Sequence, residues 1–249
     1  MLINAAAAAM ESEGQKMASL CTDTVTADFT CLDELLRRRH SCRAFLPRPV
    51  SRDVIRRILE TAQRTASWCN AQPWQVHVMS GEPLESLRSD LIARASANLA
   101  PSPELDWPRE YRGVHQTRRR ESGWALYHAT GVQKGDREAA ARQGRENFRL
   151  FGAPHLAIVC SDDSLGTHGV MDCGAWVSNF LLAATAVGVS AIAQAALASW
   201  PDILRKHLDI GAENRIICGI SFGFEDTEHA ANGFRTSRAP IDDVVAWVE

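Results

Sequence analysis

The sequence predicts an α+β protein. Three observations carry that expectation: helical and extended apolar patterns both occur along the chain, no internal repeat is visible, and no clear linker divides it. With 249 residues, 45% of them hydrophobic and 23% charged, there is enough apolar material for a sizeable core. The reading is one domain over residues 29–249, preceded by a disordered leader over 1–28. That leader holds an alanine run followed by Glu11, Glu13 and Lys16, without the basic start of a targeting segment.

The elements follow in order. A first helix is expected from Cys31 to Arg39, with Thr30 and Asp33 resembling a capping arrangement. Residues Ala44 to Val50 carry two prolines and read as extended. Ser51 suits the N-cap of a helix that places Val54, Ile55, Ile58, Leu59 and Ala62 on one face. A polar loop over 65–73 leads into a strand from Trp74 to Met79, then a helix from Glu82 to Ala97. Residues 99–145 change character and are too long for a plain loop, so they read as a partly helical, lid-like excursion. A helix from Arg137 to Leu150 and a buried strand from Leu156 to Cys160 come next. The apolar run 170–189 is broken by Asp172 and Asn179, which suits a buried helix from Met171 to Val187, ended by Gly188, better than a membrane span. Ser190 to Ala195 is short and extended. Ser199 with Pro201 opens a helix through Leu208. A strand from Arg215 to Phe224 precedes an irregular tail over 232–249.

The formal net charge of -3 argues against non-specific nucleic-acid binding. Seven scattered cysteines, without CxxC pairs or zinc-like spacing, suit a reducing compartment, so a cytoplasmic location and no structural metal are expected.

Two arginine clusters lie far apart in the chain. One is Arg39-His40-Ser41-Cys42-Arg43 and the other Arg235-Thr236-Ser237-Arg238. Guanidinium forks with a hydroxyl between them suit a doubly charged phosphate, although either cluster alone also suits a solvated face. The loop Ser67-Trp68-Cys69-Asn70-Ala71-Gln72-Pro73-Trp74 offers one hydroxyl and two amides that can read the edge of a heterocycle; the plainer reading is a polar turn. Small residues over 188–196 permit close backbone approach to a flat ligand, or a tightly packed core strand.

Taken together, Arg39 to Phe45, Asn70 to Trp74, Gly219 to Phe224 and Asn232 to Pro240 resemble the FMN-dependent nitroreductase family, over roughly residues 30–245. The resemblance implies a mixed, mainly antiparallel sheet flanked by helices, and an intertwined homodimer with FMN at the interface. It implies that Arg39, His40, Ser41, Arg43, Arg235 and Arg238 hold the phosphate and ribityl end of FMN. Ser67, Asn70 and Gln72 would contact the ribityl chain or ring, mostly from the other subunit, and Gln194 and Ala195 would lie beside the flavin. It further implies ping-pong chemistry, in which NADPH or NADH reduces FMN and a small nitroaromatic substrate then takes two electrons at a time to nitroso and hydroxylamine products. No acid–base dyad is required. Quinone or enone reduction or other flavin chemistry on the same scaffold, and flavin binding without turnover, are the alternatives.

Trp68 departs from the family pattern, where a small residue is common, and could narrow the site or stack on a substrate. Trp107, Tyr111, Trp124 and Tyr127 could stack on an aromatic substrate or simply seat the lid. The Arg118–Arg120 run could attract the phosphates of NADPH or form a solvated helix face.

Overall fold

A four-stranded antiparallel sheet, in the order β1-β2-β4-β3, organises the body of the molecule. Its strands are β1 (Trp74–Ser80), β2 (His155–Asp162), β3 (Ser190–Gln194) and β4 (Asn214–Gly223). The structure, a computed structural model, describes residues 26–97 and 99–249. Most of the expected leader, residues 1–25, lies outside the described residues.

The chain falls into two units, Met1–Arg38 and Arg39–Glu249. In the first, α1 spans Ala27–Arg38. It starts a turn earlier than the sequence suggests because Thr26, not Thr30, caps it: the Phe29 N–H donates to Thr26 Oγ1 at 3.2 Å. Asp28 in its first turn and Arg37 and Arg38 in its last complement the helix dipole.

In the second unit, the central strand β2 is buried on both faces. Successive side chains point opposite ways, so Leu156, Ile158 and Cys160 join one core and Ala157 and Val159 the other. The first core takes Leu84, Leu87 and Leu91 from α3 (Gly81–Ser96), with Trp200, Ile203 and Leu204. The second takes Ile58 and Ala62 from α2 (Arg52–Ala62) and Trp176, Phe180 and Ala184 from α6 (Gly166–Ala186). Ser51 caps α2 as its sequence indicates, accepting from the Val54 N–H. Gly188, at a φ of +76°, turns the chain out of α6 into β3. At Gly219 of β4 a Cβ would lie 2.5 Å from Leu197 Cδ1, so the turn after β3 is seated directly on the strand.

The 99–145 excursion contains α4 (Gly113–Ala129) and all of α5 (Arg137–Arg145). The helix expected to run to Leu150 stops at Arg145. There the Asn147 side chain donates to Gly144 O at 3.0 Å, competing with the helical ladder. Leu150 and Phe151 then adopt left-handed φ values of 57° and 53°, and Phe45 N–H takes the Phe151 carbonyl at 3.1 Å. Ser199 does not cap α7 (Pro201–His207). Its hydroxyl donates back to Ala196 O at 2.6 Å, and Trp200 occupies the cap position ahead of Pro201. Among the described residues, no helix is long and apolar enough to cross a membrane, and no group of three or more His, Cys, Asp or Glu could hold a metal ion.

Candidate functional site

The two distant arginine clusters meet. Asn232 is the tie: its Oδ1 accepts from the Arg43 N–H at 2.7 Å, and its Nδ2 donates to Ala44 O and Asp226 O, both at 2.9 Å. Ser41 bridges to Ala191 of β3, and the Cys42 N–H donates to the Ala191 carbonyl at 3.3 Å. Arg39 and Arg238 are close enough that burial first, and then the charge of Arg238, hold the Arg39 pKa below its ordinary value. Burial does the same to Arg43, whose guanidinium donates to Ser41 O and lies 5.6 Å from the Phe234 ring centroid.

Among the described residues, Arg39, Arg43, Arg235 and Arg238 form no ion pair with an acid. Arg235 donates to Asn232 O and Phe234 O, and Arg238 to Thr236 Oγ1 and Ser237 O. A nearby carboxylate, Glu225, is engaged by His40 at 2.9 Å and by the Ser190 hydroxyl at 3.3 Å. This leaves positive charge gathered without an ion-paired acid among the described residues, an arrangement that suits a phosphate.

The loop over 67–72 is held in an unusual shape. Cys69, Asn70 and Gln72 have left-handed φ values of 49°, 56° and 48°, a conformation that side chains adopt at a cost and that concentrates at functional sites. The loop is braced from within: the Gln72 N–H donates to Ser67 Oγ at 2.9 Å, and Gln72 Nε2 to Asn70 Oδ1 at 3.1 Å. Gln63 then links Gln72 to the indole N–H of Trp74. Trp68 is 63% exposed, its ring 4.5 Å from that of His168, and its backbone N–H donates to Asp172 Oδ2 at 3.0 Å.

Within one chain this loop and the arginine cluster do not meet. The loop enters β1 at Trp74, on one edge of the sheet, whereas Ser41 sits beside Ala191 of β3, on the other. Ala191 is level with Ser80, at the far end of β1, through Phe222 and His155. Three strand spacings across and most of a strand along separate the two corners by about 24 Å.

Gln194 is 3% exposed, and both ends of its amide are used: Nε2 donates to Asn147 O at 3.0 Å and Oε1 accepts from the Ser221 hydroxyl at 2.5 Å. What this segment presents outward is the two small residues Ala193 and Ala195, both exposed. In the excursion, Trp124 packs edge-on against Tyr127 at 5.9 Å, while Tyr111 lies under Arg119 at 5.1 Å, and Trp107 is 44% exposed. The ends of α4 and α5 overhang a cavity of about 1090 Å³ whose walls include Arg43, Phe45, Glu146 and Phe151.

Asn232, Glu225, Gln63 and Asn147 support the site without standing out as site residues in the sequence. Asn232 alone had a signal, as the polar residue opening the second arginine segment.

A family model, described as "Nitroreductase family", matches residues 36–224. Nitroreductase NfnB of Mycolicibacterium smegmatis is 34% identical over 86% of this chain and 92% of its own. A 4-nitrobenzoate reductase of Pseudomonas putida is 31% identical over 86% and 92%. Among solved structures, an FMN-dependent NfnB from Mycobacterium smegmatis in complex with NADPH superimposes with a TM-score of 0.84 at 28% identity, over 88% of this chain and 99% of that one. An FMN- and NADPH-dependent NfnB from Sphigopyxis sp. strain HMH gives 0.83 at 31% identity, over 87% and 98%.

Proposed function

Because this chain belongs to the nitroreductase family, we propose that it is an FMN-dependent oxidoreductase that uses NADPH to reduce nitroaromatic compounds. The observation that carries the reading is the meeting of the two arginine segments through Asn232, with no ion-paired acid on Arg39, Arg43, Arg235 or Arg238 among the described residues. A phosphate monoester supplies the missing negative charge, so the residues present fit FMN.

In this reading Arg39, Arg235 and Arg238 neutralise the phosphate, and Ser41 and Arg43 hold the chain next to it, beside β3. His40, fixed on Glu225, keeps that carboxylate occupied and away from the anion. The braced loop presents Ser67, Asn70 and Gln72 as donors and acceptors already near their working positions, which lowers the ordering cost of binding. The small, exposed residues Ala193 and Ala195 let a flat ring approach closely. Bound FMN supplies the two-electron relay from NADPH to the nitro group. Trp68 and the aromatic side chains of α4 limit water and shape what enters.

The separation of the two half-sites within one protomer supports a homodimer in which each chain contributes its loop to the other's arginine cluster. Exposed apolar side chains suit such an interface, among them Trp68 and Met171, each at 63%, and Trp247 at 74%. The described cysteines are all free, in keeping with a cytoplasmic location.

The test is direct. The purified protein should be yellow, NADPH should bleach it, and 4-nitrobenzoate should restore the colour. A protein that takes up no FMN, or a reduced enzyme reoxidised by quinones but not by nitroarenes, would overturn the reading.

A further inference from the structure

A second concentration of positive charge lies on the first half of α4, outside the cluster assigned to the FMN phosphate. Arg118 and Arg119 are consecutive, and neither forms an ion pair among the described residues. Glu121 stands three positions on from Arg118, a spacing at which helical charges often pair, yet the two do not. Arg112, by contrast, is neutralised by Glu110. The Arg119 guanidinium lies over the Tyr111 ring, 5.1 Å from its centroid. Tyr111, His115, Arg118 and Arg119, together with the Glu110–Arg112 ion pair, wall a groove of about 510 Å³, a volume in the range of small-ligand sites. Arg118 also walls a neighbouring cavity of about 900 Å³ shared with Arg235 and Arg238, so the groove adjoins the proposed FMN phosphate site.

NADPH and NADH differ by one group, the phosphate on the 2′-oxygen of the adenosine ribose. Discriminating them takes cations placed beside a surface on which a purine can lie. A solvated helix face would need neither the Tyr111–Arg119 stack nor a groove that adjoins a cavity walled by the tail. We propose that this groove binds the 2′-phosphoadenosine end of NADPH, with Arg118 and Arg119 on the 2′-phosphate and the adenine against the Tyr111–Arg119 stack. The assignment rests on the reading of the chain as an NADPH-dependent enzyme and names the residues that choose this donor over NADH.

The experiment uses the FMN-loaded protein. Calorimetry with adenosine 2′,5′-bisphosphate and with 5′-AMP as probes should show the bisphosphate binding at least tenfold more tightly. The Arg118→Ala/Arg119→Ala variant should lose most of that preference. In steady state, the ratio of kcat/KM for NADPH to that for NADH should fall at least tenfold in the same variant, and Tyr111→Ala should weaken both probes together. Equal binding of the two probes by the unmodified protein would overturn the assignment, as would a double variant that keeps the full NADPH preference. The calorimetry needs no turnover. Failure of the enzyme to oxidise any pyridine nucleotide would therefore count against the proposed function itself, separately from a failure of the groove to recognise the 2′-phosphate.

Discussion

Arg238→Ala separates the phosphate role from a structural one. In the folded chain, the described partners of the Arg238 guanidinium are Thr236 Oγ1 at 3.0 Å and carbonyls of its own loop. Its charge also opposes that of Arg39. Removing it breaks no long-range contact and relieves a repulsion, so the stability of the flavin-free protein should stay within about 0.5 kcal/mol of the original. Binding should respond very differently. Loss of one charge-assisted hydrogen bond to the phosphate costs about 1.5–3 kcal/mol, which weakens FMN binding about 10- to 150-fold. The assay is fluorescence titration of flavin-free protein with FMN and with riboflavin, which lacks the phosphate, alongside urea unfolding of both proteins. The variant should lose its preference for FMN while its riboflavin affinity holds. If FMN binds as well as before, or if riboflavin affinity falls equally, the phosphate assignment is wrong. Arg43→Ala makes the contrast: its half-buried guanidinium packs near Phe234, so this change should lower both FMN retention and flavin-free stability.

Three further outcomes follow from the geometry. His155 is buried, accepts from the Val50 N–H at 2.8 Å and stacks on Phe222, and burial lowers its pKa from the ordinary 6.5. The unfolded chain therefore binds more protons than the folded one just below pH 6.5. Stability should rise with pH through that window and be lost as pH falls below it; urea unfolding at pH 5, 6 and 7 should show a flatter profile for His155→Gln, and an unchanged profile counts against this. Burial pushes the thiols of Cys42, Cys160, Cys173 and Cys218 up to about 12, so at pH 8 a thiol reagent should modify exposed Cys31 and Cys69 far ahead of these four, as peptide mapping would show. Gly219→Ala should destabilise by about 1–3 kcal/mol through its clash with Leu197, and a double-mutant cycle with Leu197→Ala should show a favourable coupling; strict additivity would refute the contact.

Local signals reach as far as local physics. Ser51 caps α2 and Gly188 ends α6 because capping and positive φ are settled within a few residues. The sequence marks β1, β2 and β4 by their apolar runs and β3 only as a short extended stretch. It errs where a long-range or side-chain contact decides: Asn147 and the Phe45–Phe151 hydrogen bond end α5 early, and Thr26 captures the start of α1. Within the candidate site, the arginines and the loop amides are legible because charge and hydrogen-bonding capacity belong to residue type. The bracing by Gln63, the occupation of Glu225 by His40 and the burial of the Gln194 amide depend on three-dimensional neighbours that no spacing encodes.

The Asn232 tie has a consequence for how the protein is made. It joins Arg43 to a residue 189 positions away, and that contact fixes the first arginine segment against the second. A contact of such sequence separation forms late, after the intervening chain has been ordered. During synthesis, the first arginines emerge from the ribosome long before the residue that sets their position. The pairing of the two arginine segments thus waits until the chain beyond Asn232 has been released. If the two arginine segments hold the flavin phosphate as proposed, capture of the flavin follows that late contact rather than preceding it.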